Sequence, residues 1–167
     1  MLITHFTKSF HLPKILSEYK LKLEGCNFDE DTQNSYFKDR ANIRLLWFTE
    51  VNFCFTAKPI ITDENGKFLK FIPNINLCGF QFDSDAVGAT KWKTWYKPKL
   101  IFKKKNIAVN ELNNLAIEKG DNPNDYWVSN NSTSLDKCLS IIVWQHNGDI
   151  KSLKLDDLYS IEDFDAI

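Results

Sequence analysis

Two runs of branched and aromatic residues stand out near the start of the chain, and each predicts a β-strand. They cover residues 2–7 and 43–49, and both end in phenylalanine followed by threonine. Between them, apolar residues at helical spacing over residues 9–19 predict one amphipathic helix, with Ser9 as its N-cap. Strict alternation over residues 20–23 predicts a short strand. We expect these elements to organise the domain.

The middle of the chain predicts a hairpin and a further strand. Residues 53–56 and 68–71 have strand-like patterns, and Asn65-Gly66 between them accepts the positive φ that a hairpin turn needs. Residues 75–82 predict another strand. Within it, Gly79 indicates a bulge or a close approach of two backbones.

The second half of the chain predicts two helices. A polar turn leads into a short aromatic helix within residues 86–96, which Pro98 ends. Residues 107–119 predict a longer helix, which Gly120 follows. The predicted apolar face of this longer helix consists of Ile107, Leu112, Leu115 and Ala116, and Val109 fits it less well.

The last predicted elements are a hairpin and an acidic tail. Residues 139–144 predict a central strand and residues 150–155 an edge strand, while the tail begins at about residue 156. No repeat or linker divides the chain, so residues 1–167 predict a single globular domain. Its predicted fold class is α+β: a mostly antiparallel mixed sheet with two or three helices packed on it.

Aromatic residues are more frequent in this chain than in an average globular domain. They make up 14% of the chain, whereas the hydrophobic fraction of 43% and the charged fraction of 26% are typical of globular domains. The sequence therefore predicts either an aromatic-rich core or a cleft lined with aromatic rings.

Charge is balanced overall but uneven along the chain. A formal net charge of −1 gives no general attraction to nucleic acid or to acidic membranes. A basic stretch consists of Lys91, Lys93, Lys97, Lys99, Lys103, Lys104 and Lys105. A solvated face is the favoured interpretation, and contact with a phosphate-bearing ligand is the alternative. Trp92, Trp95 and Tyr96 in this stretch favour core packing, but stacking on a single-stranded nucleic acid stays open.

The cysteines give no evidence of metal or redox chemistry. Cys26, Cys54, Cys78 and Cys138 are far apart, without a Cys-x-x-Cys pair, so we expect reduced thiols and no metal site. The first residues do not have the pattern of a secretory leader, and no segment approaches ~20 consecutive apolar residues. We therefore expect a cytoplasmic protein without a membrane partner.

His5 is the clearest chemical candidate. The pattern places it at the end of the first strand, where a sheet can hold an imidazole rigidly at the rim of a cleft. A lone histidine on a β-strand more often has a structural role than a catalytic one, because neutral imidazole can form hydrogen bonds with nearby backbone groups. Structural or solvated roles are favoured for His11 and His146. The acidic residues 26–39 predict a loop, which either covers the cleft as a lid or has no role.

Several segments together resemble the opening of ADP-ribosyltransferase-like domains. The matching segments are residues 5–7, 12–16, 21–23 and 46–49. The strongest part of the resemblance covers about a third of the chain. The chain is also similar to small, uncharacterised bacterial and phage proteins. Those proteins begin with a histidine-aromatic-threonine strand and later carry a tryptophan-phenylalanine strand that ends in serine or threonine.

This resemblance implies NAD as the ligand. In transferases of that superfamily, the first-strand histidine holds the nicotinamide ribose, and an aromatic residue on a following strand lies near the nicotinamide ring. By this resemblance, His5 holds the ribose and either Trp47 or Phe48 faces the ring. The implied site is completed by the neighbours Phe6, Thr7 and Thr49.

The resemblance does not identify a catalytic carboxylate in this chain. The superfamily usually has a glutamate on a late strand, where this chain has Ile142. The remaining candidates are Glu50, Gln145 and Glu162. We take Glu50, together with His5, as the candidate catalytic pair.

Two functions are therefore expected. The first is an NAD-binding ADP-ribosyltransferase that modifies a macromolecular acceptor, with a nucleotide as its ligand. The alternative is a non-catalytic binding module, such as an immunity or anti-defence protein of a mobile element. Such a module would present the acidic loop and tail to a basic protein partner.

Overall fold

The strands and helices follow the hydrophobic pattern over most of the chain. The structure, a computed structural model, describes residues 1–23, 45–50, 60–62, 68–71, 76–97, 103–145 and 149–161. The strands in these ranges are β1 (Leu2–Lys8), β2 (Lys20–Leu21), β3 (Leu46–Thr49), β4 (Ile60–Thr62), β5 (Phe68–Phe71), β6 (Leu77–Asp83), β7 (Thr90–Lys91), β8 (Tyr126–Ser129), β9 (Thr133–Ser134), β10 (Ser140–Trp144) and β11 (Ile150–Leu153). The α-helices are α1 (Leu12–Glu18), α2 (Trp92–Tyr96), α3 (Lys103–Glu118) and α4 (Leu155–Tyr159). Short 3-10 turns occupy Ser9–His11, Pro123–Asp125 and Leu135–Lys137.

A seven-stranded antiparallel sheet forms the centre of the molecule. Its strand order is β11-β10-β6-β1-β3-β8-β7, and two antiparallel ribbons, β2-β9 and β4-β5, lie outside it. The first strand therefore occupies the middle of the sheet, between β6 and β3. This arrangement confirms the predicted α+β fold with an antiparallel sheet.

Each face of the sheet carries its own hydrophobic cluster, because successive strand residues point to opposite sides. On one face, Ile3, Phe80 and Phe82 pack with Leu12 and Leu16 of α1. We call this cluster the α1-side core. On the other face, near β3 and β8, the α3-side core contains Leu45, Trp92, Ala116, Tyr126 and Val128, with Trp47, Trp95, Tyr96, Val109 and Leu112 packed against it.

The two central strands β1 and β3 separate from each other along their length. β1 pairs with β6 over all seven of its residues. Among the described residues, its pairing with β3 is confined to Thr4 opposite Thr49. Beyond that pair the strands diverge toward Thr7 and Leu45, and the gap between them opens on the side of α1.

Gly79 lies where side chains from both flanking strands approach the β6 backbone, so the close approach is made by side chains and not by a second backbone as predicted. A Cβ atom on this residue of β6 would lie 2.6 Å from Cγ2 of Thr4, 2.7 Å from Cε1 of Phe6 and 2.8 Å from Cγ1 of Ile142. Those distances are far inside van der Waals contact, so only glycine fits between the flanking strands.

Several local predictions need correction. Ser9 does not cap the first helix. Its hydroxyl accepts a hydrogen bond from the Asn76 amide at 3.2 Å and ties the end of β1 to the start of β6. The strand that pairs with residues 68–71 is β4 at residues 60–62, which lies closer to the predicted turn than residues 53–56 do.

The longer helix α3 also faces the sheet differently from its predicted orientation. Val109, Leu112 and Ala116 pack against the sheet, whereas Leu115 is 45% exposed. Packing against a single sheet edge selects the narrower stripe at i, i+3 and i+7. The predicted end of the helix is confirmed, because Gly120 follows with φ 92° and its amide bonds to the Ile117 carbonyl at 2.9 Å.

Several elements, including β7, β8, β9 and α4, were not predicted, and some predicted features lie outside the described residues. β8 contains Tyr126-Trp127-Val128, and α4 begins the predicted acidic tail but buries Leu158 completely. The acidic loop at 26–39, the strand at 53–56, the Asn65-Gly66 turn, His146 and residues 162–167 are outside the described ranges. Among the residues that the structure describes, no helix combines the length and apolarity needed to span a bilayer.

Candidate functional site

His5 lies in the middle of β1 rather than at its end, and its ring is half-buried. Its Nδ1 atom is 2.8 Å from the backbone carbonyl oxygen of Trp47. Since a carbonyl oxygen can only accept, Nδ1 carries the proton and donates it, and in the neutral ring Nε2 is the acceptor. The diverging strands explain this contact, because the imidazole bridges β1 and β3 where their backbone ladder has ended.

A hollow of about 130 Å³ opens beside His5. One wall is the second half of β1, another is the start of β3, and α1 with β2 closes the third side. The residues that line it are His5, Phe6, Thr7, His11, Lys14, Ile15, Glu18, Lys20, Leu21, Lys22, Leu45, Leu46 and Trp47. We use the word hollow for this set of residues.

The rim of the hollow is basic. It contains Lys14, Lys20 and Lys22 against a single acid, Glu18, so two formal positive charges are in excess. Glu18, the last residue of α1, accepts a short hydrogen bond from Lys22, which directly follows β2, and this contact lowers the pKa of the Glu18 carboxyl. Lysine ammonium groups around a concave surface favour an anionic ligand such as a phosphate.

The aromatic pair predicted to contact a ligand divides between the two faces of the sheet. Phe48 is only 2% exposed, and its ring meets that of His5 edge-on at 5.9 Å between centroids. It therefore supports the imidazole from within the core. Trp47 lines the hollow, but its ring packs on Trp92 at 4.8 Å and on Tyr126 at 6.0 Å in the α3-side core.

The remaining predicted binding residues also differ in their surroundings. Phe6 and Thr7 line the hollow together with His5. Thr49 is 2% exposed, lies opposite Thr4 in the sheet, and is not one of the lining residues. The structure thus brings together His5, Phe6, Thr7 and part of Trp47.

Glu50 lies away from the hollow, just after β3. Its carboxylate pairs with the Lys91 ammonium at 2.7 Å and accepts a hydrogen bond from the Trp127 indole at 3.3 Å. The Lys91 contact is the main reason that the Glu50 pKa is lowered, with Trp127 contributing and partial burial opposing. Glu50 thereby joins β3 to β7 and β8, and it does not line the hollow with His5. Of the other candidates, Gln145 lies in the β10-β11 hairpin, where its backbone N–H donates a hydrogen bond to the backbone carbonyl of Asp149.

The basic groups of the hollow were not singled out from the sequence. His11, Lys14 and Glu18 are spaced i, i+3 and i+7, which places them on one side of the first helical segment. Lys20 and Lys22 flank the buried Leu21. The polar side of an amphipathic helix beside an alternating strand was the signal that could have identified them. None of the lining residues belongs to the basic stretch of residues 91–105, and Lys91 of that stretch pairs with Glu50.

The described cysteines are not poised for nucleophilic chemistry. Cys78 and Cys138 are free thiols, and burial raises the pKa of Cys78 to about 12 and that of Cys138 to about 11. Both therefore stay protonated near neutral pH. Over the described part of the chain, no three His, Cys, Asp or Glu side chains come together as a possible metal site.

Comparisons with known proteins give no further assignment. No protein-family model, curated protein or solved structure matches the chain. The site is accordingly interpreted from its own geometry.

Proposed function

We propose that the hollow beside His5 binds NAD and that the protein is an ADP-ribosyltransferase-like enzyme acting on a macromolecular acceptor. The observation that carries this proposal is the orientation of His5. Its Nδ1 is fixed on the Trp47 carbonyl, and its ring lines a basic hollow in the middle of the sheet. A histidine held in this way can position a ribose hydroxyl through Nε2 acting as acceptor.

The size of the hollow indicates how much of the ligand is enclosed. Pockets that bury whole drug-sized ligands have volumes of roughly 300–1,000 Å³. A volume of about 130 Å³ suits one ring-sized group. NAD would therefore insert one end beside His5, and its diphosphate would extend over the rim that carries Lys14, Lys20 and Lys22.

The reaction requires little covalent participation by the protein. The bond between the nicotinamide nitrogen and ribose C1′ breaks, and nicotinamide leaves with the electron pair. The acceptor then bonds to C1′ and loses a proton. Positive charge develops on the ribose, so orientation of the sugar and a nearby electron-rich group lower the barrier. His5 supplies the orientation in this proposal, and Glu50 stays a predicted catalytic residue whose contribution its variants measure.

Nicotinamide release from NAD tests the proposal directly. We expect release in the presence of protein or nucleic acid acceptors, and a loss of roughly 100-fold or more in His5→Ala, because positioning groups contribute on that scale. The double variant Lys14→Ala/Lys20→Ala should raise KM for NAD about tenfold by removing two cations from the rim.

The matched control removes the same charge elsewhere. Lys151→Ala/Lys154→Ala alters two exposed lysines, one in the edge strand β11 and one directly after it, and should leave both kinetic constants unchanged. Absence of nicotinamide release with every acceptor class, or equal release by His5→Ala, would overturn the transferase proposal.

A further inference from the structure

A stack of aromatic rings runs from the α3-side core to the surface of α2. Trp92 is 4% exposed, and its indole donates a hydrogen bond to the Asn113 side chain at 2.9 Å. Trp95 lies nearly parallel to it, with 5.6 Å between ring centroids and 18° between planes. Trp92 also contacts Trp47, which lines the hollow. Trp95 is therefore a half-buried ring whose position is fixed by the buried Trp92.

Unpaired cations flank these rings. Lys93 and Lys97 are exposed, lie one helical turn apart, and form no ion pair with any residue in the described ranges. The third lysine of this segment, Lys91, is neutralised by Glu50. Between residues 91 and 105 the sequence contains no Asp or Glu. We define the α2 surface as Lys93, Trp95, Tyr96 and Lys97.

We propose that the α2 surface binds single-stranded nucleic acid. Base rings stack on half-exposed aromatic side chains, and phosphates pair with neighbouring ammonium groups, so the two features together match this ligand. Trp95 needs no ordering on binding because Trp92 already holds it, which reduces the entropic cost of association.

The same features argue against other polyanions. A duplex conceals the faces of its bases, so it could use only Lys93 and Lys97. An acidic peptide would likewise pair with the lysines and have no ring to place on Trp95. With a net charge of −1, the whole chain gives no general attraction to nucleic acid, so binding at the α2 surface depends on its own two lysines and must weaken with salt.

This inference does not depend on NAD binding or cleavage, because association is measured without NAD. Fluorescence anisotropy of a labelled fifteen-nucleotide oligothymidylate would give the affinity of the full-length protein at several salt concentrations. We expect Lys93→Ala/Lys97→Ala to weaken binding roughly tenfold and to lower the salt slope by roughly 1.4, since each phosphate contact on a single strand contributes about 0.7. The control Lys151→Ala/Lys154→Ala, at the opposite edge of the sheet, should match the wild type.

Stacking has its own readout. Oligothymidylate should quench tryptophan fluorescence, and Trp95→Phe, which keeps an aromatic ring packed on Trp92, should reduce the quenching. A duplex of the same length and polyglutamate serve as competing polyanions. The inference is overturned by absence of oligonucleotide binding, by equal affinity for the duplex or for polyglutamate, or by identical losses in the two lysine double variants.

Discussion

At the scale of single residues, one hydrogen bond determines what His5 can do. The bond from Nδ1 to the Trp47 carbonyl satisfies a backbone acceptor that the diverging strand β1 no longer serves. It also fixes the ring plane and the tautomer, so that Nε2 is an acceptor. The structural role and the proposed ligand role therefore belong to different nitrogens of the same ring, and a substitution can separate them.

Gly79 gives a prediction about stability at the same scale. Gly79→Ala would place a Cβ atom within 2.6–2.8 Å of three side chains from β1 and β10. We expect a loss of about 1–3 kcal/mol in the free energy of unfolding, because the neighbouring strands must shift. Urea denaturation measures this loss.

Gly88 provides the control for Gly79. Its φ is +60°, and the nearest atom to an added Cβ lies 4.0 Å away, so Gly88→Ala would cause backbone strain without overlap. A cost of about 1 kcal/mol is expected. Equal or greater destabilisation in Gly88→Ala than in Gly79→Ala would contradict the close packing described for β1, β6 and β10.

The residue predictions succeeded where local pattern was sufficient. His5 and Gly79 stand out because imidazole and glycine in a strand need a reason. The partner of His5 could not be inferred, since Trp47 lies 42 residues further along the chain. The burial of Phe48 and Thr49 was likewise unpredictable, because a four-residue strand does not indicate that both of its faces are covered.

At the scale of elements, α1 and β3 do most to form the site. Leu12 and Leu16 fix α1 on the sheet, which turns His11, Lys14 and Glu18 toward the hollow. Helical periodicity predicted these two sides of α1. It could not show that the polar side would face a gap between diverging strands, because that gap depends on the register of Thr4 with Thr49.

The pair of Glu50 and Lys91 joins elements rather than forming part of the hollow. We expect Glu50→Gln to lower the free energy of unfolding by about 0.5–1 kcal/mol at pH 7, the range for partly exposed ion pairs. Because folding depresses the Glu50 pKa, the contribution is present above the ordinary value of 4.5 and is lost as pH falls through the lower folded value. Denaturation of both proteins between pH 3 and 7 measures this difference.

The same variant also tests the catalytic prediction for Glu50. If the carboxylate only joins β3 to β7 and β8, Glu50→Gln should retain nicotinamide release while losing stability. A difference in stability that stays constant down to pH 3 would contradict the assigned ion pair. Loss of release with unchanged stability would instead support a catalytic role.

At the scale of the whole molecule, the fold class and much of the element order follow from the sequence. The branched and aromatic runs of β1 and β3, the apolar run of β10 and the two helical periodicities were sufficient for an α+β domain. The strand order was not predictable, since β1 pairs with β6 some seventy residues later. The hollow and the α2 surface arise from that order, which places β3 between them. Trp47 of β3 lines the hollow and packs on Trp92 of α2.

NAD binding through Nε2 of His5 is tested most directly by calorimetric titration of NAD into the wild type and into His5→Asn. Asparagine keeps a donor near the position of Nδ1 for the Trp47 carbonyl but has no atom at the position of Nε2. We expect the wild type to bind NAD, and His5→Asn to have a wild-type melting temperature and an affinity at least tenfold weaker. Equal affinity in the two proteins would show that Nε2 of His5 does not hold NAD, and absence of NAD binding by the wild type would rule out the hollow as an NAD site.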